Sequence, residues 1–404
     1  MRTTSSLFAL LLSAPALAQG GVHVVASDGS GDFLDLPQAV AAAASGDTLL
    51  VRDGTYSGFL ALGKGLTVVA DTGASPLLTG QVNATGLPAD SALILDGLRV
   101  EPKEIAAFAA FQCDGTVWIE DCELAGGRNA CGVAQPCYDP CQGARVFDCD
   151  DVVIVRSTLA GGEGAGGDAH GLEATFSAVH VYDSELVGFA FPFVSAGGNG
   201  AQLAASSLFA SGTLFEGGKG GDGLIADGCS FGTGGPGGNA LKLNDASAQL
   251  MGSALVVGAG GLGLAPCGDG EPGQEVLLLG GGTLAFLNEL ARSFAVGSPL
   301  REGQAAEIDY AGAAGDLVLG LFSLTASPLP SQELSGTLLP AQPPGVVTLG
   351  AADAQGELAT SVPLGSLPAG FESLVVFLQG VAVSTGGAVV LAAGSELLLL
   401  DAAF

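Results

Sequence analysis

The sequence is poor in positive charge and in aromatic rings. Its 404 residues include 12 Lys and Arg against 41 Asp and Glu, three His, one Trp and four Tyr. A formal net charge of −29 repels phosphate backbones and anionic bilayers, both of which are held through Lys and Arg patches, so nucleic acid is excluded as a partner. Polyanionic substrates are disfavoured for the same reason unless a cation bridges them. No apolar run in the mature chain reaches the roughly 18 residues of a membrane span. A G-x-S-x-G nucleophile elbow and a G-x-x-x-x-G-K-[ST] phosphate loop are also absent, which removes two common routes to catalysis. Charged residues make up only 13% of the chain while glycine numbers 66. That balance points to short strands joined by many tight turns.

The first residues read as a targeting segment. Arg2, the apolar run at residues 7–12 and Ala16-Leu17-Ala18 before Gln19 have the three regions of a secretory signal peptide over residues 1–18. The expected product is therefore secreted, with no membrane span in the mature chain. Eight cysteines in an exported protein favour disulfides, and their pairing stays open among 105 connectivities. Six lie between Cys113 and Cys149. The spacings of Cys131, Cys137, Cys141 and Cys149 lack the close paired ligands of common zinc modules.

An eight-residue phrase organises the middle of the chain. It reads VWIEDCEL at 117–124 and recurs as VVIVRSTL at 152–159, VHVYDSEL at 179–186, SLFASGTL at 207–214, LIADGCSF at 224–231 and AQLMGSAL at 248–255. Each copy closes on Leu or Phe, with a small residue two positions earlier and an apolar one five positions earlier. Period-two alternation breaks once, so one extra residue turns the chain between two short strands that both face inward. Stacking such units buries the columns against themselves and makes a solenoid. Trp118 alternates outward from Val117 and Ile119, and cover by the loop 131–141 is expected for it. Glycine-rich loops follow most copies and should line one edge, where Asp168, Asn199, Asp222 and Asn239 form a polar row. Ahead of the repeats, Asp35, Pro37 and the run AVAAAAS predict a short capping helix that lids the first coil.

The passage DFLDLPQAVAAAASGDTLLVRDGTYSG at residues 32–58 resembles the opening of secreted right-handed parallel β-helix proteins of the pectin-lyase-like superfamily. The later V-x-I-x-D-[CS]-x-L phrases resemble that family's repeating coil. The expected architecture is all-β: a right-handed parallel β-helix over residues 19–285, then a smaller antiparallel β-sandwich over 288–404. The latter is read from seven or so alternating strands with Pro-rich turns and resembles C-terminal modules of exported bacterial proteins.

Two functions follow from different features. Long stacked faces without a complete catalytic motif suit a non-catalytic extracellular or cell-surface protein that binds a glycan or another partner. The alternative is a polysaccharide-degrading enzyme. Asp150 and Asp151, together with Asp168 and His170 in Asp168-Ala169-His170-Gly171, resemble the carboxylates and His-Gly of polygalacturonase-type hydrolases, where one acid protonates the leaving oxygen and another activates water. The Asn-x-Asp and Arg-x-Lys elements of that group are missing, leaving only Lys242 nearby. A lyase would instead use Arg145 or Arg156 to take a proton beside carboxylate-bound Ca²⁺. Calcium without catalysis is suggested by GGKGGDGLI at 217–225 and GGPGGNALK at 234–242, which resemble calcium β-roll nonapeptides and offer Asp222 and Asn239 as ligands. His23 and His180, inside strands, read as structural.

Overall fold

The computed structural model describes residues 20–127, 141–162, 169–189, 195–224, 229, 232–331 and 334–404. The signal segment, Asp168, Cys131 and Cys137 lie outside the described residues. Two parallel sheets wind around a common core. The longer sheet begins Val22–Val25, Thr48–Val51, Leu66–Ala70, Ala92–Asp96, Phe108–Glu120 and Ala144–Val155. Beyond Ala144–Val155 it continues as two files of short strands, ending in Val276–Leu279 and Thr283–Leu287. The second sheet stacks eight strands of two or three residues, from Thr55–Tyr56 to Ala254–Val256. Among the described residues every strand pairing in both sheets is parallel, as in Val152↔Val179 and Leu124↔Leu159. This is a parallel β-helix, and its inner columns Val117, Ile119, Cys122 and Leu124 and their successors form one core cluster.

The bend inside the phrase has a visible cause. Asp121, Arg156 and Asp183 take φ of 49°, 44° and 48°, a left-handed conformation that Asp and Asn tolerate better than most residues and that costs Arg more. The small residue that follows holds the corner: Ser157 Oγ accepts from Cys122 N at 3.1 Å, and Ser184 Oγ from Ser157 N at 3.0 Å. Two copies of the phrase need correction. In the fourth, Leu208 pairs with Val179 and Phe215 with Leu186, so the repeat is LFASGTLF at 208–215, with Gly212 at the bend (φ 63°). No coil separates the fourth copy from the sixth, because Ser207–Ser211 pairs directly with Ser247–Met251 and Leu214–Glu216 with Ala254–Val256; most of the copy at 224–231 lies outside the described residues. Cys229 of that segment is bonded to Cys267.

The capping helix is Leu36–Ala42, with Asp35 Oδ1 accepting from Leu36 N at 2.9 Å. Leu36, Ala39 and Val40 are buried over the first coil, and Lys64 Nζ donates to the Val40 and Ala43 carbonyls at its C-terminal end, where a cation complements the helix dipole.

Residues 293–400 form a three-stranded sheet around Ala305–Ala311, a five-stranded sheet around Ser373–Val383 and Val389–Leu400, and the hairpin of Ala326–Ser331 with Gly336–Pro340. All but one of these pairings are antiparallel, and the sheets enclose a second core. This sandwich lies against the outer face of the β-helix. Trp118, Val153, Val155, Tyr182 and Phe209 pack on Leu339, Phe377, Val390 and Ala393. Trp118 is fully buried there, its ring 5.1 Å from Phe377, so the sandwich covers it; residues 131–140 of the loop expected to do so lie outside the described residues.

Candidate functional site

Where the sandwich leaves the β-helix face, a cleft of about 700 Å³ remains. Its floor comes from outward positions of successive coils. Thr48, Thr67 and Ile94 stand in one register column, and Ala92, Thr116 and Asp151 in the column two residues upstream. The opposite wall is built by residues 324–327 with Phe371, Ser373 and Phe377, and Asp90 and Asp114 stand at the coil corners. Hydroxyls and carboxyls share the lining with Ile94, Leu324, Leu374, Val375 and the edges of Phe371 and Phe377. Among the described residues no Lys, Arg or His lines it.

Among the described residues, Asp151 is the one sequence-predicted site residue in this cleft. Burial, and then the neighbouring Asp150 carboxylate, push its pKa up to about 6. His180 stands beside it, with Nε2 4.0 Å from Asp151 Oδ1. Burial holds His180 down to about 4, so it is neutral at pH 7 and gives Asp151 no cation. Asp151 thus titrates near the working range of an acid or of a hydroxyl-binding group. Asp150 is exposed on the same strand.

The other proposed partners lie elsewhere. His170 precedes Leu172, which pairs with Ala144 at the start of the strand Ala144–Val155, whereas Asp150 and Asp151 stand in the middle of that strand. His170 is 4% exposed, and its Nδ1 accepts from Asn199 N at 2.9 Å. Burial and Lys242 lower its pKa to about 4. The structure does not bring His170 to the two aspartates.

Arg156 does not flank a substrate groove either. Its guanidinium binds Glu120 and Asp121 of the β-helix, with Nε 3.1 Å from Asp121 Oδ1, and the Phe294 carbonyl and Ser395 Oγ of the sandwich, at 3.1 and 3.3 Å. It is a clasp between the two units. The clasp holds a surplus of buried carboxyls: Trp118 Nε1 and Glu396 N donate to Glu120 at 2.6 and 2.7 Å, while Asp96 and Glu396 lie close by. Burial and then the neighbouring carboxylates raise Asp96 well above the usual range and bring Glu396 to about 8. These shifted acids sit in a closed junction rather than in the cleft.

The calcium ligands are committed as well. Asp222 accepts from Lys219 Nζ and Leu262 N, both at 2.8 Å. Asn239 donates to Asn199 Oδ1 from N and Nδ2 at 3.0 and 2.8 Å, and its own Oδ1 accepts from Gln274 N at 2.9 Å. His170, Asn199, Asn239 and Gln274 therefore form a continuous polar ladder along four coils. Among the described residues there is no group of three or more His, Cys, Asp or Glu that could hold a metal, and the side-chain oxygens of Asp222 and Asn239 are engaged by these protein donors.

The glycine loops do more than turn. Successive N–H donors step by three residues: Gly217, Gly220 and Gly223 donate to Val256, Ala259 and Leu262, and Gly234 and Gly237 to Gly268 and Glu271. Gly218, Gly238 and Gly258 link further segments across. This period is that of extended polyproline-II-like chains packed side by side, where only glycine fits. A Cβ at Gly238 would stand 1.9 Å from the Gly198 carbonyl oxygen. The signal was in the sequence as G-x-x-G spacing at 217/220/223, 234/237 and 258/261.

No protein-family model matches this chain, and no curated protein sequence matches it. Among solved structures, it is similar to a superoxide reductase (neelaredoxin) from Ignicoccus hospitalis at 8% identity, over 27% of this chain and 80% of that one, with a TM-score of 0.17. An overlap that small carries no argument about fold or activity. Among the described residues no helix is long and apolar enough to cross a membrane.

Proposed function

We propose that this is an exported, right-handed β-helix protein of pectin-lyase-like type that binds a neutral, hydroxyl-rich glycan in the cleft between β-helix and sandwich, without cleaving it. One observation carries the reading: the cleft is lined by Thr48, Thr67, Thr116, Ser373 and the carboxyls of Asp90, Asp114 and Asp151, with no cationic side chain among the described residues. Hydroxyls and carboxyls hydrogen-bond sugar hydroxyls in both directions, and Phe371 and Phe377 offer apolar surface to a ring. A uronate would meet like charge there with nothing to neutralise it. The Cys229–Cys267 disulfide fits an oxidising compartment, and the opening segment at 32–58 supports the family reading.

Asp151 favours a second reading. A carboxyl held near pH 6 in a cleft that also contains Asp114 is half of a glycoside-hydrolase pair, with Asp151 as the acid. A panel of neutral and uronic polysaccharides, assayed for binding and for new reducing or unsaturated ends, separates the two. Retention of a neutral glycan with no new ends is expected. New reducing ends abolished by Asp151→Asn would establish hydrolysis, and selective retention of uronic polymers would sink both readings.

A further inference from the structure

The two ends of the β-helix are finished differently. The first coil is lidded by the helix Leu36–Ala42. At the last coil, Ala254–Val256, Val276–Leu279 and Thr283–Leu287 each have a strand neighbour on one side only. The core columns run out into solvent there. Leu243 and Leu250 are 0% and 1% exposed, whereas the residues stacked on them, Leu278 and Phe286, are 49% and 61% exposed. Between residues 252 and 290 only Gly258 and Gly261 are buried.

We propose that this open end is the interface of a symmetric dimer, in which the edge strands Val276–Leu279 and Thr283–Leu287 meet the same strands of a second copy. Three features select that occupant. Exposed edges in monomers are usually blunted by charge or proline, yet residues 276–287, VLLLGGGTLAFL, contain neither. A stable interface takes roughly 20–30 residues from each side, which the last coil and its glycine loop supply. The opposite end is closed by its helix, so open ends can pair only with each other, and the assembly stops at two. Asp269, Glu271, Glu275 and Glu289 lie around this end, with no Lys or Arg between residues 252 and 290. Their mutual repulsion across the two-fold axis is screened by salt, so the dimer tightens as ionic strength rises.

Sedimentation equilibrium of the full chain tests this. A dimer is expected at micromolar concentration, with a lower Kd in high salt than in low. Leu278→Lys combined with Phe286→Lys should raise Kd by about a hundredfold or more, because each buries an unpaired charge. The emission of Trp118, the one tryptophan, reports whether the variant keeps its fold. Should it not, hydrogen exchange over 276–287 in the parent decides: protection lost on dilution supports the dimer. A parent that stays monomeric, a folded variant with unchanged Kd, exchange independent of concentration, or a dimer loosened by salt would each overturn it.

Discussion

Replacing Glu396 by Gln should stabilise the protein above neutral pH and leave it nearly unchanged in acid. Glu396 is fully buried where the sandwich meets the β-helix, its Oε2 accepting from Ser298 Oγ at 3.1 Å while Oε1 has no hydrogen-bond partner. Burial, and then Glu120, raise its pKa from 4.5 to about 8. A carboxyl whose folded pKa is raised favours folding fully below its unfolded value, and that contribution is lost as pH climbs from 4.5 to about 8, because the unfolded chain releases the proton first. The upper bound is on the order of 5 kcal/mol at pH 8, and local relaxation brings the expected difference to roughly 2–3 kcal/mol. Gln is a permanent mimic of the protonated acid and keeps an oxygen for Ser298. Urea unfolding followed by Trp118 emission, on parent and Glu396→Gln at pH 5 and pH 8, reads the difference directly. Near-equal stability at pH 5 and a gain of about 2 kcal/mol or more at pH 8 are expected. A variant less stable than the parent at pH 8, or a difference independent of pH, would refute the reasoning.

Other outcomes follow from the same contacts. Arg156→Met leaves Glu120 buried without its cation and frees the Phe294 carbonyl, so equilibrium unfolding should show a loss of about 3–5 kcal/mol. Gly238→Ala puts a methyl against the Gly198 carbonyl oxygen at 1.9 Å, whereas a Cβ at Gly268 meets nothing within 4 Å; thermal melts should show a loss of about 2 kcal/mol or more for the first and near neutrality for the second. Asn199→Ala removes the acceptor of both Asn239 donors and should cost about 1–3 kcal/mol in denaturant titrations. His170, held down to about 4 by burial and Lys242, stabilises the fold fully above pH 6.5 and less as pH falls towards 4. His170→Gln should therefore flatten the acid limb of the stability–pH curve over that range.

The β-helix was legible because its core repeats. Val117, Ile119, Cys122 and Leu124 recur as columns, and the break in alternation at Asp121 marked the bend that φ later displays. Register slipped at residues 207–214, where Phe209 and Leu214 imitate core positions one residue away from Leu208 and Phe215. The phrase at 224–231 misled because apolar and small residues can share a coil's composition, while the fourth and sixth copies pair directly with each other. The cleft was only half legible. Asp151 was visible as an acid beside a strand, but Thr48, Thr67 and Thr116 become a site only when the sandwich, more than 200 residues away in sequence, closes over them. Arg156 was read as a candidate base for the same reason: nothing local announces that Ser395 and Phe294 of the sandwich will bind it.

The central claim is that this cleft holds an uncharged glycan. Titration calorimetry at pH 7 with the best-retained neutral oligosaccharide, on the parent and on Thr116→Trp, tests it most directly, since the indole fills the floor between Ala92 and Asp151. Saturable binding by the parent, lost by at least about tenfold in the folded variant, is predicted. Binding of equal strength in both would place the glycan elsewhere and contradict the account.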